Sequence, residues 1–101
     1  MTVANLIISL LGDIPEASDR TNISATILYL FDVYTSGKAN DKEIEQSLYE
    51  ICRDIISIKS PDLLPDEITA KAKDLADQFM REFRIEGAQK RILAKFRVPP
   101  I

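Results

Sequence analysis

The chain has 101 residues, 46% of them hydrophobic and 29% charged, with a formal charge of −3; this suffices for one soluble globular domain and is too short for two. It has no histidine and a single cysteine, Cys52, so histidine acid–base catalysis, Ser–His–Asp triads, Cys/His zinc sites and internal disulfides are excluded by inventory. A pI of about 4.9 argues against a surface coated uniformly for nucleic acid.

Apolar residues recur at helical spacing almost throughout, which predicts an all-α fold. The first helix is expected over residues 2–11: Val3, Leu6, Ile7 and Leu10 form a stripe, Thr2 can cap its start, and Gly12 follows its end. No basic residue precedes the apolar run Leu6–Leu11, and no stretch approaches the about 20 apolar residues a membrane span needs. A cytoplasmic location is the expectation that follows. After a turn at Asp13–Glu16, a second helix is expected over residues 19–35, closed by Ser36-Gly37. Ile23, Ile27, Leu30 and Tyr34 form its stripe, while Leu28, Tyr29, Phe31 and Val33 spread apolar surface around it. A helix apolar on all sides is normally buried on all sides, which makes this segment the expected central element.

Asn40 and Glu43 approximate a capping box, opening a third helix over residues 41–58 with Ile44, Leu48, Ile51 and Ile55 on one face. Pro65, followed by Asp66 and Glu67, suits the first turn of a fourth helix, whose stripe is Ile68, Ala72, Leu75, Phe79 and Phe83. Beyond Phe83 the pattern changes phase. Ile85, Ile92 and Phe96 share a face with Leu93 beside it, and Phe83 to Ile92 is nine steps of about 100°, half a turn out of register. Either Gly87 stops the helix and a short fifth helix folds back, or the helix continues through Gly87 at a cost of about 1 kcal/mol and its last turns pack on another molecule. The expected boundaries, 65–86 and 88–96, follow the first solution. Val98-Pro99-Pro100-Ile101 cannot continue a helix and is expected to be an extended tail on a single 1–97 domain.

Charge changes sign at nearly the same place. Residues 1–80 carry seven basic and 14 acidic side chains, whereas residues 81–101 carry six basic (Arg81, Arg84, Lys90, Arg91, Lys95, Arg97) and two acidic ones. An acidic body with a basic amphipathic end is a polarised molecule, and such polarity concerns association. Tyr49 and Ile56 lie off the third helix's main stripe and, with Cys52, add a second apolar patch. Together with the second helix this exceeds what a four-helix packing needs, so a homodimer is the expected arrangement.

Other constellations are weaker. Glu43, Glu50 and Asp54 fall on one side of the third helix and could serve a divalent cation in a Mg-dependent carboxylate hydrolase, but a solvated acidic face explains them as well. Small all-α nucleotide pyrophosphatases match in size, yet their metal site pairs a Glu-x-x-Glu with a Glu-x-x-Asp motif, and no Glu-x-x-Glu occurs here. A helix-turn-helix around Gly37 would offer DNA a helix bearing Asp41, Glu43, Glu45 and Glu50, which phosphates repel. Gln89-Lys90-Arg91-Ile92-Leu93-Ala94-Lys95-Phe96 resembles a degenerate sliding-clamp-interacting peptide, with Lys95 where that family has the first of two aromatics; an amphipathic helix packing on its own bundle or a twin subunit accounts for the same residues.

The expectation is therefore a small all-α bundle of four to five helices, dimeric and non-catalytic, an interaction or accessory subunit with no cofactor. Ile85, Ile92, Leu93 and Phe96 are its expected apolar anchors, with Tyr49 and Ile56 on the interface, and Arg84, Lys90, Arg91, Lys95 and Arg97 steer association. The alternative is a nucleic-acid-associated protein using the same cations on phosphates. The Ile-rich, Gln-poor composition is compatible with heat adaptation.

Overall fold

Four helices follow one another in the computed structural model: α1 (Val3–Leu11), α2 (Ala17–Thr35), α3 (Asp41–Lys59) and α4 (Pro65–Phe96). It describes residues 2–96, apart from the side chains of Arg91 and residues 93–96, and holds no strand among them. The expected tail at 98–101 and Arg97 lie outside the described residues, as do the side chains of Arg91, Leu93, Lys95 and Phe96.

Local chemistry sets most of the boundaries. Thr2 Oγ1 accepts from the Asn5 N–H at 3.1 Å and opens α1. Gly37, at φ 72°, closes α2 in a Schellman arrangement, with the Gly37 N–H on the Tyr34 carbonyl and the Lys38 N–H on that of Val33. The capping box of α3 is present: Asn40 Oδ1 accepts from the Glu43 N–H at 2.9 Å, and Glu43 Oε1 faces the Asn40 N–H at 3.5 Å. Pro65 is the first residue of α4, where its missing N–H costs nothing.

Long-range contacts fix the directions. Arg84 on α4 meets Glu45 and Asp41 in the first turns of α3, at 3.2 and 3.7 Å, so α3 and α4 are antiparallel. The Val3 N–H at the start of α1 donates to Glu86 Oε2 at 2.8 Å. At the other end of α1, Lys59 Nζ donates to the Leu10 carbonyl at 3.1 Å and lies 3.5 Å from Asp13. Thus α1 runs antiparallel to α4, pinned at both ends by side chains remote in sequence.

One core joins the four helices: Val3, Leu6, Ile7 and Leu11 of α1, Ile23, Ile27, Leu30 and Phe31 of α2, Ile44, Leu48, Cys52 and Ile55 of α3, and Ala72, Leu75, Ala76, Phe79, Met80 and Phe83 of α4 are all buried. Phe31, Tyr34 and Phe79 surround Phe83 with ring centroids 5.1, 5.8 and 6.5 Å away, tilted or edge-on as aromatic quadrupoles prefer.

Two sequence expectations need correction. α2 is not buried on all sides: it seals a single stripe, and Leu28 and Tyr29 are 46% and 66% exposed. α3 and α4, each with a strong apolar face, are the central pair instead. Nor does the chain break at Gly87, and there is no separate fifth helix; α4 is one helix of 32 residues. Gly87 is buried, and a Cβ there would come within 3.1 Å of Tyr34 Cε1. This glycine admits a tyrosine ring to the helix backbone, a use that a stop signal and a packing site share in sequence.

Candidate functional site: the C-terminal half of α4

At 1.5 Å per residue α4 is about 48 Å long and α3 about 29 Å. Their antiparallel pairing puts Arg84 beside Asp41, the first residue of α3, so the turns of α4 that follow outrun their principal partner. The end of α2 accompanies α4 a little further. Tyr34 packs at Gly87, and Lys90 Nζ stands 4.9 Å from the centroid of the Phe31 ring, a cation–π contact. From there α4 continues for nearly two more turns to Phe96.

The core stripe of α4 passes through Phe79, Phe83, Gly87 and Lys90. Ile85 and Ile92 fall about half a turn away, one heptad apart. They are 49% and 52% exposed. The phase change read in the sequence is therefore real in three dimensions: the second apolar face points away from the bundle, and no reversal of the chain covers it among the described residues. Ile85 borders a shallow depression with Glu45, Asp77, Met80, Arg81 and Arg84.

The other anchors and cations distribute unevenly. Arg84 is held by two carboxylates of its own chain, which offset its charge, whereas Lys90 is exposed and keeps its positive charge while its ammonium stands over Phe31. Tyr49 and Ile56 are half-buried and pack against the chain's own core, and Arg53 lies 5.9 Å over the Tyr49 ring. The second apolar patch expected on α3 is thus partly absorbed by the fold itself.

No group of three or more acidic or thiol ligands that could hold a metal ion occurs among the described residues. Glu43 is committed to the α3 cap, Glu50 accepts from Gln46 Nε2 at 3.2 Å, and Asp54 borders a separate depression beside Asp19 and Asn22. The Glu43–Glu50–Asp54 set therefore does not assemble. Cys52 is fully buried, and burial pushes its thiol up to about 12, which leaves it a packed side chain rather than a nucleophile. No described helix is long and apolar enough to cross a membrane.

Two features escaped the sequence. Glu86 caps the start of α1 across 83 residues, a contact with no local signal. A groove between α1 and α2, of about 620 Å³, is lined by apolar residues such as Ile7, Ile8, Leu11 and Leu28 and by Arg20, Thr21 and Ser24. Ile8 and Leu28 lie off the stripes of their helices, and that was the available signal. Comparison with family models, curated proteins and solved structures finds no match to this chain.

Proposed function

We propose that this protein is a non-catalytic interaction or accessory subunit, dimeric through the projecting end of α4. The observation that carries this reading is the pair Ile85 and Ile92, half-exposed on a continuous helix that runs beyond α3. A soluble chain gains by covering such a face, at roughly 25 cal/mol per Å² of apolar surface removed from water. In sequence, Leu93 and Phe96 extend the same apolar spacing, and Arg91, Lys95 and Arg97 flank it with positive charge. Apolar anchors would supply the affinity and the cations the encounter rate.

Phosphate binding through the same cations is the second reading. It is weakened by the pairing of Arg84 with Asp41 and Glu45, which offsets one of the charges it would use.

Light scattering tests the proposal. The intact chain should have twice its mass of 11.4 kDa. A chain ending at Lys90, which keeps the contacts of Gly87 and Lys90 with α2, should be a folded monomer whose melting temperature does not depend on concentration. Equal masses for the two chains would overturn the reading. Tight binding of a labelled polynucleotide at low salt, lost at moderate salt, would favour phosphates instead.

A further inference from the structure

The start of α1 and the part of α4 that outruns α3 meet at one polar contact, between Val3 and Glu86. We infer that this contact is a clasp: through it the first turns of α1 and residues 84–90 of α4 open and close together, so that the start of the chain senses the state of the α4 end. The coupling belongs to the single chain and does not require a dimer.

Both elements are weak on their own. α1 has nine residues, fewer than the about 12–15 at which an isolated helix becomes even marginal in water. Residues 1–12 carry no charged side chain, so the positive end of the α1 dipole has no carboxylate of its own. Thr2 meets the Asn5 N–H, but the Val3 N–H is met from the far end of the chain, by Glu86 Oε2 at 2.8 Å. Val3 is buried and Glu86 half-buried, so water is a poor substitute for either group. On the other side of the contact, α4 has passed the start of α3 at Arg84. Glu86 toward α1, and Gly87 and Lys90 toward α2, hold the turn that follows.

The far end of α1 is fastened separately. Lys59 donates to the Leu10 carbonyl, and Leu11 and Ile14 are buried there. Opening therefore begins at Val3 and Leu6 and does not release the whole helix. When Val3 withdraws, Glu86 loses its one donor among the described residues, and residues 84–90 keep only α2. When α4 frays past Phe83, Val3 loses its acceptor. A hydrogen bond to a part-buried carboxylate is of the stronger kind, enough to change the open population of either element about tenfold. The effect is reciprocal: whatever steadies residues 84–90, including a molecule lying on Ile85 and Ile92, steadies the start of α1.

Amide hydrogen exchange in full-length variants tests the clasp. Ala88 is exposed, so Ala88→Gly loosens α4 locally and leaves the core in place. Exchange at residues 84–90 should rise about fivefold, and exchange at Val3, Leu6 and Ile7, on another helix, should rise with it. In Glu86→Ala the same α1 amides should exchange about tenfold faster from the outset, and adding Ala88→Gly should change them no further. Glu86→Gln keeps an oxygen acceptor for the Val3 N–H and should preserve the link between the two regions. The amides of Leu48 and Ile55, deep in α3, report that each variant stays folded. If Glu86 merely caps α1, Glu86→Ala still loosens α1, but Ala88→Gly leaves residues 3–7 unmoved. That result would overturn the inference, as would an effect of Ala88→Gly on α1 that survives in Glu86→Ala. Either outcome leaves the dimer reading untouched, because no step involves a second copy.

Discussion

The two halves of α4 share a helix and differ in what holds them there. From Pro65 to Phe83 the helix has one apolar face, and that face is sealed against α3 and its neighbours, with Ala72, Phe79 and Phe83 fully buried. From Arg84 onward the apolar residues turn outward at Ile85 and Ile92, and the inward positions are a glycine against a tyrosine ring and a lysine over a phenylalanine. The first half is helical because the fold packs it; a helix end without tertiary packing is marginal in water. The contrast teaches that continuity of a helix does not imply continuity of its purpose.

The sharpest contrast is between Phe83 and Ile85. Phe83→Ala removes the ring around which Phe31, Tyr34 and Phe79 are arranged and should cost about 3–5 kcal/mol in urea unfolding. Ile85→Ala, two residues on, should change the unfolding free energy of the monomer by no more than about 0.5 kcal/mol. Similar costs at the two positions would erase the distinction between the halves.

Gly87 marks the transition. Gly87→Leu has to displace the Tyr34 ring and should destabilise by about 1–3 kcal/mol, whereas Ala88→Leu on the exposed side should be nearly neutral by thermal melting. A tolerant Gly87 would mean that the tyrosine is not held against the helix.

Cys52 tests the sealed side from α3. Its folded thiol pKa is raised by burial from 9.0 to about 12, so the folded state retains a proton that the unfolded chain releases. Stability from this group is fully present below pH 9 and falls as pH rises towards 12, by about 1.4 kcal/mol per pH unit. Urea titrations at pH 8 and pH 10 should show this decline in the native chain and a smaller one in Cys52→Ala, which isolates the thiol from lysine and tyrosine titration. The smallest effect belongs to Arg84. Its ion pairs with Asp41 and Glu45 are half-exposed, so Arg84→Ala should cost under about 1 kcal/mol at low salt and less at high salt.

The features legible in the sequence are those whose cause is local. Asn40 with Glu43, Thr2, Gly37 and Pro65 each act on backbone groups within a few residues, so each marked its boundary without knowledge of the fold. The outward phase of Ile85 and Ile92 was legible for a related reason, since rotation along one helix is arithmetic. What stayed hidden depends on contacts between distant segments. Gly87 could be a stop or a packing site until Tyr34 was placed against it. Arg84 reads as a free cation in sequence, and only the placing of α3 supplies its carboxylates. α2 looked central because composition records apolar content but not which side of a helix finds a neighbour.

Amide hydrogen exchange of residues 91–96 in the unaltered chain, followed as protein concentration rises, tests most directly whether another chain covers the end of α4. Protection should be weak at high dilution, grow with concentration, and disappear in Ile92→Glu at every concentration. Rapid exchange across these residues at all concentrations in the unaltered chain, with Phe83 and its neighbours still protected, would contradict the account.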